Sequence, residues 1–183
     1  MTQSLTECEE LPPQKQPSQK TETIDFRQPT DRDGPAVYAL VENSPPLDTN
    51  SRYCNLLQCL HFADTCIAAF KGEKMVGFVS GYCIPKKTDT LFIWQVAVDE
   101  SVRGQGLAHK MITQILKNDS CSNVQFIETT ITADNQSSWA LFEKLAVRLD
   151  ARTQKTPLFL QECHFDGKHD TETLMRIGPF SSL

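Results

Sequence analysis

Two glycines, Gly104 and Gly106, stand in the run Arg103-Gly104-Gln105-Gly106-Leu107-Ala108, between an apolar segment and an amphipathic one. Residues without a β-carbon let a ligand come close to the backbone. The first amides of a helix have no partner inside it, and the helix dipole favours negative charge at that end. The chemistry open to such a turn is to cradle an anion, and a pyrophosphate suits it best. A dinucleotide fingerprint would need a third glycine where His109 stands, and a phosphate loop would need Gly-Lys-Ser/Thr, which does not follow. The bland alternative is a helix start whose glycines serve only the turn.

The elements that must position this cradle can be read on both sides of it. Leu91 to Val98 is almost unbroken in apolar character, which predicts a strand buried on both faces. Leu107, Ala108, Met111, Ile112, Ile115 and Leu116 mark the stripe of an amphipathic helix. Upstream, Thr23 to Gln28 reads as a strand, and Thr30 or Asp33 can cap a helix with Pro35 in its first turn. Asn50 or Ser51 can cap a second helix, whose buried face would be Tyr53, Leu56, Leu57 and Leu60. Thr65 to Phe70 and Met75 to Ile84 form a hairpin about Gly72, and Pro85 to Asp89, with Lys86-Lys87, reads as a solvated turn. Beyond the cradle come a strand over Val124 to Thr130 and a helix from Asn135 to Leu149 with Trp139, Phe142, Leu145 and Leu149 inward. Two last strands flank the polar loop CHFDGKHDTET.

The chain as a whole sets limits. Its 183 residues suffice for one good core, with residues 22–183 as the domain and residues 1–21, polar and proline-bearing, as a disordered tail. Eighteen Lys and Arg against 23 Asp and Glu give a net charge of −5, with no basic patch interleaved with aromatics. Nucleic acid is therefore not an expected partner, whereas a small cationic substrate is allowed. No run has the length of a membrane span or a signal sequence, so a cytoplasmic protein without a membrane partner is expected. Seven scattered cysteines, never Cys-x-x-Cys, suit reduced thiols better than disulfides or zinc, and no metal is expected.

Arg103, Gly106 and Ala108 meet Arg/Gln-x-x-Gly-x-Gly/Ala, and the segment resembles the acetyl-CoA motif of the GCN5-related N-acetyltransferase (GNAT) superfamily. Asn135 to Leu145 sits where that superfamily has Asn-x-x-Ala-x-x-Leu-Tyr-x-Lys-Leu. The element order β-α-α-β-β-β-α-β-α-β-β is also similar, which implies an α+β fold with a mixed, mostly antiparallel central sheet flanked by helices. Longer blocks, among them LDTNSRYCNLLQCLHFADTC, TLFIWQVAVD, ETTITADNQSSWALF and HFDGKHDTETLMRIGPF, are similar to the L-2,4-diaminobutyric acid acetyltransferases of ectoine synthesis. This narrower resemblance spans Ile24 to Phe180. It implies transfer of acetyl from acetyl-CoA to the terminal amine of diaminobutyrate, giving the Nγ-acetyl product, and a homodimer.

That reaction needs a neutral amine, a donor for the oxyanion and release of a thiolate; a lysine-like amine has an unperturbed pKa of roughly 10. The resemblance implies that backbone groups of Val96, Ala97 and Val98 hold the pantetheine arm, with Arg103, Gly104, Gln105, Gly106, Leu107 and Ala108 on the pyrophosphate and Asn135 and Phe142 completing the cofactor site. Many relatives carry a tyrosine where Phe142 stands, so the usual acid is missing here, although a CoA thiolate can leave without one. The Trp94 strand carries no carboxylate, which leaves Glu128 through water, His164, His169, Asp48 or Glu172 as the base; Glu128 is the assigned one, with an ordinary sheet-edge carboxylate as its alternative. For the dicationic substrate, Asp48, Tyr53, Trp94, His169 and Glu172 are the expected contacts. Four of them have a plain competitor: a loop-forming Asp48, a core Tyr53, a core Trp94, a surface His169. An aromatic face such as Trp94 also suits an alkylammonium. Acetylation of another small amine or a peptide, and a silent acyl-CoA-binding module, remain the competing functions.

Overall fold

The computed structural model describes residues 23–181, and the expectation of a disordered tail over residues 1–21 lies outside them. In chain order the elements are β1 (Ile24–Arg27), α1 (Gly34–Glu42), α2 (Arg52–His61), β2 (Ile67–Lys71), β3 (Lys74–Ile84), β4 (Lys87–Val98), α3 (Leu107–Leu116), β5 (Phe126–Ile131), α4 (Gln136–Arg148), β6 (Thr153–Phe159), α5 (Gln161–His164) and β7 (Glu172–Ile177). The seven strands make one sheet in the order β1-β2-β3-β4-β5-β7-β6. Its pairs are antiparallel except β4 with β5. That parallel pair is joined by α3, because a parallel connection has to cross over the sheet. The α+β order read from the sequence is the order observed, with α5 added between the last two strands.

Each face of the sheet carries a core. The stripe of α3 (Met111, Ile112, Ile115) and that of α4 (Phe142, Leu145, with Trp139 and Leu149 partly covered) pack on Val79, Leu91, Ile93, Ile127 and Met175. On the other face Val37, Leu40 and Val41 of α1 meet Ala68, Phe78 and Ala97. Burying one such aliphatic side chain contributes roughly 1.5–3 kcal/mol, and truncating Ile112 to Ala would cost about 2–5 kcal/mol. These two layers fix β4 from both sides.

Two expectations are corrected. The α2 helix does not bury its apolar stripe: Tyr53 and Leu60 are exposed, while Asn55, Gln58 and Cys59 face the sheet. The polar side chains are held inside by bonds to one another, although the Asn55 Oδ1 has no partner among the described residues. Asn55 donates to Gln58 (3.0 Å), and Gln58 donates to Ser80 (3.4 Å). Ser51, one of the two capping candidates, accepts the Cys54 amide at the start of this helix. The second correction concerns β4, which starts earlier than expected, at Lys87, and is not buried on both faces. Leu91, Ile93, Gln95 and Ala97 are buried, while Phe92, Val96 and Val98 are half-covered and Trp94 is exposed.

Candidate active site

The site exists because β4 and β5 part company. They pair at Thr90 with Phe126, Leu91 with Ile127 and Phe92 with Glu128, and the pairing stops there. From Ile93 to Val98 the β5 side of β4 has no strand beside it. At the same point the pairing of β4 with β3 jumps from Gln95 opposite Ser80 to Ile93 opposite Gly81. Trp94 is the extra residue of a bulge, a feature that re-aims a side chain and strengthens local twist. Its indole is turned out and 44% exposed, at the mouth of the notch. This is why a strand that reads as buried carries an accessible aromatic ring.

One side of the notch opens on the glycine turn, in a cavity of about 660 Å³ lined by Val96, Val98, Arg103, Gly104, Gln105, Gly106, Leu107 and Ala108. Gly104 and Gly106 have φ of +75° and +73°, a left-handed backbone that costs other residues about 1–2 kcal/mol. A β-carbon on either would meet nothing within 4 Å, so the space over the turn is open. Gly106 is the residue before α3 and no side chain caps that helix, which leaves its first amides to a ligand. The Arg103 Nε donates to the Val98 carbonyl (3.0 Å) and so ties the turn to the end of β4. Ala97 points its methyl into the core, so only its backbone can reach the notch. Lys144 and Arg148, one turn apart on α4, line the same cavity, as does His109. Burial, then the charges of Arg148 and Lys144, hold His109 below its ordinary pKa, and its buried Nε2 has no partner among the described residues.

A second cavity, of about 530 Å³, shares Pro46, Leu47, Val96, Asn135 and Ser138 with the first. It collects Asp48, Asn50, Trp94, Gln95, Thr130, Phe142, His169 and Glu172. Asn135 caps α4 by accepting the Ser138 amide (3.1 Å), which sets that helix at the junction of the two spaces. The His169 Nε2 lies 3.1 Å from the Asp48 carboxylate and 3.9 Å from that of Glu172. The Asp170 carbonyl, bonded by the His169 Nδ1 at 2.8 Å, is the main cause that raises the His169 pKa, with Asp48 and Glu172 adding to it. Burial raises the pKa of Glu172, with the Thr130 hydroxyl and His169 pulling the other way. The Glu172 Oε2 is buried and has no hydrogen-bond partner among the described residues. A buried acceptor without a partner, beside an imidazole and a second carboxylate, is suited to an ammonium group and to taking its proton.

Three of the candidates read from the sequence stand elsewhere in the molecule. Glu128 lines neither cavity. Its register places it opposite Arg176 of β7, and its buried carboxylate is bonded by Arg176 and by Lys87 (3.1 Å). Its ion pairs brace β5 against β7 and against the start of β4 at the closed end of the notch. Tyr53 follows the outward stripe of α2 and lines neither cavity. His164 accepts the Leu160 amide at Nδ1 (2.9 Å), as a cap of the short α5. Sequence reasoning misses Asn50, Gln95, Thr130, Lys144 and Arg148; only the last pair leaves a signal, two cations at i and i+4 after the Asn135 cap. Among the described residues, no group of three or more His, Cys, Asp or Glu is placed to hold a metal ion.

The profile of the Acetyltransferase (GNAT) family matches residues 24–146. An L-2,4-diaminobutyric acid acetyltransferase of Methylotuvimicrobium alcaliphilum is 50% identical over 160 residues, 87% of this chain and 93% of that one. The chain belongs to the diaminobutyric acid acetyltransferases of the GNAT family. The Vibrio parahaemolyticus diaminobutyric acid acetyltransferase is 48% identical over 152 residues, 83% of this chain and 84% of that one. Among solved structures, the diaminobutyrate acetyltransferase EctA from Paenibacillus lautus, in complex with its substrate L-2,4-diaminobutyric acid and coenzyme A, superposes with a TM-score of 0.83 at 39% identity. That match covers 87% of this chain and 96% of the other. Ard1 from Thermoplasma volcanium, at 17% identity and a TM-score of 0.67 over 85% of this chain and 97% of that one, shares the acetyltransferase fold.

Proposed function

We propose that this acetyltransferase uses acetyl-CoA to acetylate the terminal amine of L-2,4-diaminobutyrate, through the domain over residues 22–183. The observation that carries the reading is the junction at Val96, Asn135 and Ser138, where an anion cradle and a carboxylate-lined cavity meet at the notch. The pyrophosphate rests on the amides after Gly106, with Lys144 and Arg148 adding positive charge. The pantetheine arm lies along the unpaired side of β4, against backbone groups of Val96, Ala97 and Val98. That places the thioester beside Trp94 and Phe142, where the second cavity begins.

In that second cavity Asp48 holds one ammonium of the substrate, the Trp94 face covers the alkyl chain, and His169 braces Asp48. Glu172 takes the proton of the reacting amine: burial favours its protonated form, so the carboxylate gains by accepting it. The neutral amine attacks the thioester carbonyl, an amide of β4 meets the oxyanion, collapse expels the CoA thiolate, and the amide nitrogen gives its second proton to water. No tyrosine stands at Phe142 to protonate the thiolate, so it leaves as the anion. The product and its amine class suit the first step toward ectoine in a bacterial cytoplasm.

A homodimer belongs to the same reading. The Tyr82 ring has those of Phe62, Phe92 and Trp94 around it, at 6.0, 5.3 and 6.3 Å. Leu158, Phe159 and Leu160 stand exposed at the β6 edge. Apolar surface of this extent suits a second copy. Mass spectrometry of a diamine panel (diaminobutyrate, ornithine, lysine, putrescine) with acetyl-CoA tests the activity. Diaminobutyrate should be acetylated at its terminal amine fastest by a wide margin; equal turnover of putrescine would sink the assignment.

A further inference from the structure

The Trp94 bulge does a second thing. The residue after it, Gln95, is buried with only 7% of its surface exposed, and both ends of its amide are engaged. Its Nε2 donates to the Asp48 carbonyl (2.9 Å), and its Oε1 accepts from the Asn50 side chain (3.2 Å). Before Asp48, the same loop is held near α1 by the Ser44 and Leu47 amides, on the carbonyls of Val41 and Ser44. Between Leu47 and Ser51 the described hydrogen bonds from this loop to the sheet are the two at Gln95. Its register partner on β3 is Ser80, which takes the Gln58 hydrogen bond from α2. The strand that borders the acyl donor therefore also grips the loop that faces the diamine.

We propose that Gln95 is a positioning residue that sets Asp48 against the acceptor amine, so that one bulge places both the Trp94 ring and the Asp48 carboxylate. The reason is geometric. A side-chain amide with both ends bonded and shielded from water has few orientations open to it. It holds the backbone of Asp48 itself, so the carboxylate needs only its own rotamer to reach His169 or a substrate. With those bonds removed, the loop keeps its anchor at Leu47, which packs on the core beneath α1, but Asp48 is free to swing away from the cleft. The acyl donor should not notice: Gln95 does not line the cradle cavity. The inference rests on the proposed role of Asp48 in holding substrate.

The test is a double-mutant cycle read in steady-state kinetics, with Gln95→Met, Asp48→Ala and the double variant. Loss of a hydrogen bond of this kind should raise the KM for diaminobutyrate in Gln95→Met about tenfold, while the KM for acetyl-CoA stays within about twofold. In the Asp48→Ala background the same change should add less than about threefold, because the two residues act through one group. Effects that multiply, or a loss that appears in the acetyl-CoA KM, would overturn the proposal. If Gln95→Met does not fold, Gln95→Glu keeps the size and sets an oxygen against the Asp48 carbonyl, and the same pattern is expected. Should Asp48→Ala lose nothing, the role of Asp48 fails and this inference with it. Should Asp48→Ala lose activity and neither Gln95 variant do so, this inference alone is overturned.

Discussion

His169 and Asp48 are 121 positions apart in the chain, and their side chains meet 3.1 Å apart across the acceptor cavity. The contact joins the loop before α2 to the loop before β7, and Glu172 sits behind it on the same imidazole. Asp48 is still 82% exposed, because the contact uses one carboxylate oxygen at the open side of the cleft. A bound ammonium would cover it.

From this arrangement, Asp48→Ala should lose at least about tenfold in kcat/KM for diaminobutyrate, the worth of a charge-assisted hydrogen bond of about 1.5–3 kcal/mol. Acetyl-CoA affinity, measured by calorimetry, should hardly change. NMR of the product should show the acetyl group less strictly on the terminal amine. Retention of both rate and position would make Asp48 a loop-forming residue.

Glu172→Gln should make the protein more stable and less active. Burial raises the folded-state pKa of this carboxyl above its unfolded value, so the folded protein binds the proton more tightly. Its contribution then favours folding at low pH and is lost as pH rises through the carboxylate range toward the raised value. Thermal melts should show the variant gaining over the parent at pH 8 and little or nothing at pH 4. Turnover at pH 8 should fall by at least about tenfold, within the range that a positioned base contributes.

The cradle can be tested against a control within the same chain. Gly106 and Gly72 both have positive φ, +73° and +60°, and a β-carbon on either meets open space. Ala at each should cost the same backbone penalty of about 1–2 kcal/mol. Only Gly106→Ala should raise the KM for acetyl-CoA, since Gly72 lies in the β2–β3 turn. Equal kinetics in the two variants would remove the pyrophosphate from that turn.

Phe142 is buried in the core under α3 and α4 and lines the acceptor cavity. If the thiolate leaves unprotonated, Phe142→Tyr should change kcat by less than about tenfold, roughly 1.4 kcal/mol of barrier. A larger gain in single-turnover rate would mean that an acid is wanted there.

Glu128→Gln separates the brace from the base. Losing the carboxylate strands Arg176 and Lys87, of which Arg176 is the less exposed, and should lower stability by about 1–3 kcal/mol in urea melts. Activity per folded molecule should stay within about threefold, the residual expected of a group away from the reacting atoms. A collapse in kcat with unchanged stability would return Glu128 to the chemistry.

The sequence discloses the element order, the glycine turn and the inward face of α4, because each rests on local spacing. It does not disclose the face that α2 buries. Periodicity shows which stripe is apolar, yet Asn55 and Gln58 go inward through hydrogen bonds to each other and to Ser80 on a distant strand. For Trp94 the sequence leaves core and pocket wall in competition, since a bulge leaves no mark in a run of apolar residues. Glu128 reads as a base because its partners, Lys87 and Arg176, lie 41 positions before it and 48 after it. Gln95 escapes notice for a similar reason: its contacts are 47 and 45 positions away. What stays illegible is what depends on register.

The parting of β4 from β5 gives this sheet an edge in its interior. An ordinary edge faces solvent and invites another polypeptide to add a strand, which proteins resist with charge, proline or a covering element. This one is walled by α4 and by the loop over residues 43–51, as the residues shared by the two cavities show. A polypeptide strand brings side chains on both of its faces and needs about 4.8 Å of clearance along the hydrogen-bonding direction. A pantetheine arm offers amides without those side chains. With the arm where we propose it, along Val96 to Val98, no interior edge is left for a neighbouring chain to capture.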